Sequence, residues 1–142
     1  MAIDGKSDDD IRRILTETRS IAMVGASSNP ARASNAVLAF LIEHGYAMKP
    51  VNPGQAGDSI LGAPAVASLA DLAEPVDMID VFRNSFGAGA TVEEVLRLPW
   101  KPKVIWMQLG VVNKEAAAKA EAAGIEVVMD RCPKIEIARL GL

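Results

Sequence analysis

Val24-Gly25-Ala26-Ser27-Ser28-Asn29-Pro30-Ala31-Arg32 separates two apolar segments of different period, and the architecture turns on how it is read. Before it, Ser-Ile-Ala-Met-Val-Gly at residues 20–25 is a short apolar run closed by glycine, the pattern of a buried parallel strand. After it, Val37, Leu38, Leu41 and Ile42 recur at helical spacing from Ser34 towards Gly45, a natural C′ residue. Residues 46–51 then form a second strand, stopped by Asn52-Pro53-Gly54. Strand, glycine turn, helix and strand within about 30 residues make one βαβ unit.

The alternation continues in both directions. Upstream, Ser7 and Asp8 to Asp10 precede Ile11, Ile14 and Leu15, which predicts a helix over 8–19. Downstream, residues 55–64 read as a loop with two short apolar pieces, and residues 68–72 as a brief helix. Residues 76–82 form a third strand and 91–98 a helix. Residues 104–107 form a fourth strand, turned by Gln108-Leu109-Gly110. Asn113 caps a helix running to Ala123, residues 125–129 are the last strand, and residues 133–140 close the chain as a helix with Pro133 in its first turn. Alternation of this kind predicts a single Rossmann-like α/β domain over residues 8–142, with a mainly parallel sheet and helices on both faces. The expected strand order is 3-2-1-4-5, with a ligand at the switch point beyond the strand C-termini.

Composition sets limits on function. The net charge of −3, from 15 basic and 18 acidic residues, lacks the clustered basic character that nucleic-acid binding requires. One cysteine, Cys132, excludes an internal disulfide, and no Cys/His cluster suggests a metal. One histidine, His44, leaves a Ser-His-Asp triad a single candidate, placed at a helix end beside Gly45. The first residues carry no secretory signal, and no apolar run is long enough to cross a bilayer, so the expected location is the cytoplasm.

The chemistry concentrates at the turn. Backbone N–H groups opening a helix lack intrahelical partners and suit a phosphate. Gly25 and Ala26 permit close approach, and Ser27, Ser28 and Ser34 add hydroxyls. Arg32 adds a forked cation. Gly25 is the only glycine here, so the G-x-G-x-x-G fingerprint is incomplete, and an ordinary strand-to-helix turn fits the same residues. The second strand narrows the ligand. A nicotinamide site places Asp or Glu near its end, but here it ends Val51-Asn52-Pro53-Gly54, with no acid before Asp58. Coenzyme A carries a 3′-phosphate on that ribose, which a carboxylate would repel. Lys49 reads as a solvated strand residue.

Further segments occur in a fixed order: Gly25 to Ser34, Gly45-Tyr46, Pro50-Val-Asn-Pro53, Val76-Asp77-Met-Ile-Asp80-Val-Phe82-Arg83, Val104-Ile-Trp106-Met-Gln108-Leu-Gly110, and Asp130-Arg131-Cys132-Pro133. Together they resemble the small stand-alone CoA-binding domain proteins of bacteria, which are similar to the N-terminal CoA-binding domain of the succinyl-CoA synthetase α subunit. The resemblance covers residues 10–140. It implies coenzyme A, free or acylated, held across the strand C-termini. The nucleotide-binding turn would fall on Gly25, Ser27, Ser28 and Arg32, and the second-strand turn on Asn52 and Pro53. The third-strand exit would be Phe82 and Arg83, with Gln108 to Gly110 on the far side. The synthetase's catalytic histidine domain and partner subunit have no counterpart here, so ligase activity is not implied.

The expected function is therefore noncatalytic binding of coenzyme A, in a regulatory or carrier role. An NAD(P)-dependent oxidoreductase on the same fold and a ligand-free scaffold are the alternatives; side chains filling the Gly25 crevice would support the scaffold. A homodimer is compatible with a small two-sided domain, and no stretch identifies an interface or a protein partner. Phe82 is read as packing on adenine and Arg83 as pairing with phosphate, while Trp106 is core. Asp77 and Asp80, three apart on one strand, face opposite sides and do not form a carboxylate pair. Cys132 precedes a helix start, a place for thiol chemistry such as a mixed disulfide with the CoA thiol. A buried, inert cysteine is the ordinary outcome.

Overall fold

A computed structural model of the chain describes residues 2–142. Its centre is a five-stranded, wholly parallel sheet: β1 (Ser20–Val24), β2 (Ala47–Val51), β5 (Met78–Val81), β6 (Val104–Met107) and β7 (Glu126–Val128), in the spatial order β2-β1-β5-β6-β7. Two shorter strands, β3 (Ser59–Ile60) and β4 (Ala63–Pro64), make a separate antiparallel hairpin. Its turn residues Leu61 and Gly62 have φ of 51° and 84°, the left-handed pair that a two-residue hairpin turn demands. This hairpin lies in the stretch expected to be plain loop.

Parallel strands must be covered on both faces, and the residue alternation accomplishes this. Ala22, Val24, Ile79, Val81, Ile105 and Met107 form one core with α3 (Ser85–Leu96) and α4 (Lys114–Ala122). Ile21, Met23, Met78, Val104 and Trp106 form the other, with α1 (Asp8–Glu17), α2 (Ala33–Glu43) and α5 (Pro133–Leu140). Trp106 is fully buried, as expected of core, and its indole Nε1 donates to the Arg131 carbonyl at 2.8 Å.

Strand order corrects the sequence-based expectation. Numbering the five long strands in chain order, the sheet runs 2-1-3-4-5, not 3-2-1-4-5. The outer edge of β2 is already occupied. Val66 donates to the Pro50 carbonyl at 3.1 Å and accepts from Asn52 N at 2.9 Å, so the connection itself lines that edge. The next strand, β5, therefore pairs with the free side of β1. Pro50 fits this placement, because a residue without an N–H is tolerated in an edge strand and not in a central one. The switch point consequently falls between β1 and β5.

A second difference concerns α3, which starts at Ser85 rather than near Thr91. Gly87 and Gly89 lower local helix propensity, and tertiary packing overrides it. Asn84 caps the helix, its Oδ1 accepting from Gly87 N at 2.7 Å, while Ala88, Val92 and Val95 bury its inner face. The early start places Arg83 and Asn84 directly at the strand exit.

Candidate functional site

The C-terminal ends of β1 and β5 are drawn together by one glycine. Gly25 has φ of +89°, and its N–H donates to the Val51 carbonyl at 3.0 Å. A Cβ at this position would lie 2.2 Å from the Phe82 carbonyl oxygen. The close approach that glycine permits here is to the neighbouring strand exit, and the same residue borders the cleft where the sequence reading placed a ligand.

Beyond Gly25, the turn is tied down through its carbonyls. Asn52 Nδ2 donates to the Ala26 carbonyl at 2.6 Å, and Asn35 Nδ2 donates to the Ser27 carbonyl at 2.9 Å. The amides of Ser27 and Ser28 make no hydrogen bond to protein among the described residues. Ala33 and Ser34 open α2, where N–H groups lack a carbonyl one turn earlier. The consequence is a backbone edge rich in donors and poor in acceptors.

This edge borders an open cleft of about 370 Å³ lined by Gly25, Ala26, Ser27, Arg32, Ser34, Asn52 and Phe82, with Ala33 among them. No carboxylate lines it, and its one formal charge is the Arg32 guanidinium. Arg32 is exposed and forms no ion pair among the described residues. Side chains leave the crevice open.

A second cleft of about 390 Å³ continues from the first, sharing Ala33 and Phe82. Its walls are mostly apolar, with Val37, Leu109, Val111 and Cys132, and its polar members are Arg83, Asn84 and Gln108. Gln108 is 4 % exposed, and its Oε1 has no hydrogen-bond partner. A buried amide left unpaired costs about 1–3 kcal/mol, so this acceptor gains from any donor, water or ligand, that reaches it.

Together the two clefts collect nine of the expected site residues: Gly25, Ala26, Ser27, Arg32, Ser34, Asn52 and Phe82 in the first, and Arg83 and Gln108 in the second. Ser28, Pro53 and Gly110 line neither. Pro53 opens an exposed 3₁₀ turn, and Gly110 N donates to Asp130 Oδ1 at 2.7 Å. Asn52 is a positioning residue, since its Oδ1 also accepts from Gly54 N at 2.9 Å, which leaves neither end of its amide free of the protein. Lys49 is exposed on β2 and lines neither cleft. Sequence reasoning missed Asn35, Val37, Asn84 and Val111. Asn84 carried a signal, an Asn-Ser pair at a helix start, hidden by the late start assigned to α3.

The strand, the tied turn, the donor-rich cleft and the amide-bearing apolar extension share one ordered chain segment. A family model described as a CoA binding domain matches residues 19–138 of this chain.

The chain belongs to the CoA-binding domain family.

Similar proteins come from several organisms. It is 38 % identical over 126 residues to YneT, an uncharacterised protein of Bacillus subtilis, covering 89 % of this chain and 90 % of that one. A hypothetical protein from Pyrococcus horikoshii superposes with a TM-score of 0.91 at 38 % identity, covering all of this chain and 97 % of that one. A protein of Thermus thermophilus, cell-free ID.343, gives 0.88 at 41 % identity, covering 95 % and 99 %. Across the family domain in this chain, no helix of the described residues is long and apolar enough to cross a membrane.

One buried acid lies within β5. Asp80 is fully buried in β5 between its register partners Met23 and Trp106, and neither carboxyl oxygen has a hydrogen-bond partner. Burial pushes its pKa well above 3.8. Asp77, by contrast, accepts from the Arg19 and Ser20 amides at 2.9 and 3.3 Å at the other end of the strand. The two aspartates share no site.

Proposed function

We propose that the protein binds coenzyme A, free or acylated, and catalyses no reaction of its own. The phosphates occupy the polar cleft, where the helix-opening amides, the Ser27 and Ser34 hydroxyls and Arg32 supply donors. The pantetheine arm follows the apolar cleft past Phe82. The observation that carries this reading is the pairing of both turn carbonyls with Asn35 and Asn52, which leaves a donor edge beside an unpaired cation and no carboxylate. Such a surface suits a ligand with several phosphate charges. It offers no carboxylate to accept hydrogen bonds from the ribose hydroxyls of NAD, the role an acid plays in nicotinamide sites.

Isothermal titration with coenzyme A, dephospho-CoA, NAD and NADP tests the reading. Coenzyme A is expected to bind tightest; stronger binding of NAD would reverse the assignment. Arg32→Ala is expected to weaken coenzyme A about 10- to 100-fold, the cost of about 1.5–3 kcal/mol for a charged hydrogen bond. If Arg32 meets the 3′-phosphate, dephospho-CoA loses less than coenzyme A. Equal losses place Arg32 on the pyrophosphate.

A further inference from the structure

The chain's single thiol lies on the wall of the second cleft. Cys132 is 6 % exposed, stands at the N-cap position of α5 and lines the same cavity as Gln108. Its backbone is held firmly. The preceding Arg131 carbonyl accepts from Trp106 Nε1 at 2.8 Å. The Arg131 guanidinium is anchored by Asp4 at 2.9 Å and by Glu136 at 2.5 Å. The unpartnered, buried Oε1 of Gln108 is an independent sign that a ligand amide belongs in this cleft.

Reach agrees with this arrangement. Gly25, Phe82, Gln108 and Cys132 follow the ends of β1, β5, β6 and β7, four neighbouring strands of the sheet. Three strand spacings of about 4.8 Å separate the first from the last, about 14 Å. The pantetheine arm has about thirteen bonds from phosphorus to sulfur and, at the extension of a polypeptide, about 3.5 Å per three bonds, spans about 15 Å. A phosphate at the Gly25 turn thus brings the ligand sulfur to the neighbourhood of Cys132, with the arm's two amides passing Gln108.

We infer that Cys132 is a covalent docking site for the thiol end of the ligand, taking one coenzyme A moiety from coenzyme A disulfide by thiol–disulfide exchange. The inference rests on the binding reading given above. Cys132 Sγ, as thiolate, attacks one sulfur of the disulfide. An Sγ–S bond forms as the original S–S bond breaks, and the electron pair leaves on the second coenzyme A sulfur, which takes up the proton released by Cys132. One disulfide is consumed and one is made, so no further oxidant is needed. The Gln108 amide orients the arm during the exchange, and the mostly apolar walls suit the uncharged pantetheine arm better than the charged peptide arms of glutathione.

The test uses the reduced full-length protein, incubated without air with coenzyme A disulfide or with glutathione disulfide, and read by intact mass. One coenzyme A adduct on wild type and none on Cys132→Ser is expected, forming at least tenfold faster than the glutathione adduct. Gln108→Leu is expected to slow only the coenzyme A reaction. Equal rates for the two disulfides would overturn the inference, since the thiol would then be merely accessible. So would the absence of an adduct in protein that binds coenzyme A by titration. Failure of both wild type and Cys132→Ser to bind coenzyme A at all would overturn the binding reading together with this one.

Discussion

The two clefts meet at Phe82 and differ in how they are made. The polar one is built from a continuous stretch, residues 25–34, plus Asn52 and the Phe82 exit, and its chemistry lies in backbone amides. The apolar one gathers residues from α2 and from the connections that follow β5, β6 and β7, and its chemistry lies in side chains such as Gln108 and Cys132. Local chain conformation is enough to create an anion site. A channel for an uncharged arm needs surfaces that only packing can bring together.

The substitution expected to have the largest effect breaks both clefts at once. Gly25→Ala forces a side chain into a positive φ and against the Phe82 carbonyl, and is expected to cost on the order of 3 kcal/mol or more. Chemical denaturation measures it, and an unchanged midpoint would mean that the strand exits are not in close contact. Gln108→Leu sharpens the contrast. It removes an unsatisfied buried amide, so the free protein is expected to gain about 1 kcal/mol, while coenzyme A weakens about tenfold. The 3′-phosphorylated adenosine diphosphate fragment, which lacks the arm, is expected to bind the variant and wild type alike. Arg32→Ala should show the complementary pattern, weakening that fragment as strongly as coenzyme A.

A more gradual effect is expected in the pH dependence of stability at the buried acid of β5. Below pH 3.8 Asp80 is protonated in both folded and unfolded chains and burial costs nothing extra. As pH rises, the unfolded chain ionises and the folded one keeps its proton. Stability therefore falls by up to about 1.4 kcal/mol per pH unit until the raised folded-state pKa is reached. Asp80→Asn is expected to remove that slope, so the stability difference between variant and wild type changes steadily with pH, as followed by denaturation at several pH values. A parallel pair of profiles would show that Asp80 ionises in the folded state at its ordinary pKa.

Much of the fold was legible because period and punctuation are local. The strand over 104–107 and the helix over 133–140 were read to the residue, and the turn at Gly25 was located by the abrupt change from a strand-like run to helical spacing. The strand order was not read correctly, although Pro50 hinted that its strand lies at an edge. The start of α3 was missed because its glycines argue against a helix and its packing argues for one. At the site, Arg32, Ser34 and Phe82 were recognisable from their positions beside strand ends. Asn35 looked like any helix residue, and its tie to Ser27 exists only once the turn folds back.

The order of strands and helices along the chain, the donor-rich glycine turn and the lack of an acid after the second strand follow from the amino-acid sequence alone, because each depends on neighbours a few residues apart. Tertiary structure alone placed β5 beside β1, set Gly25 against the Phe82 carbonyl, and joined Gln108 to Cys132 across one cleft. Those relations span tens of residues, and they are settled by which strand edge is free and which faces must be buried.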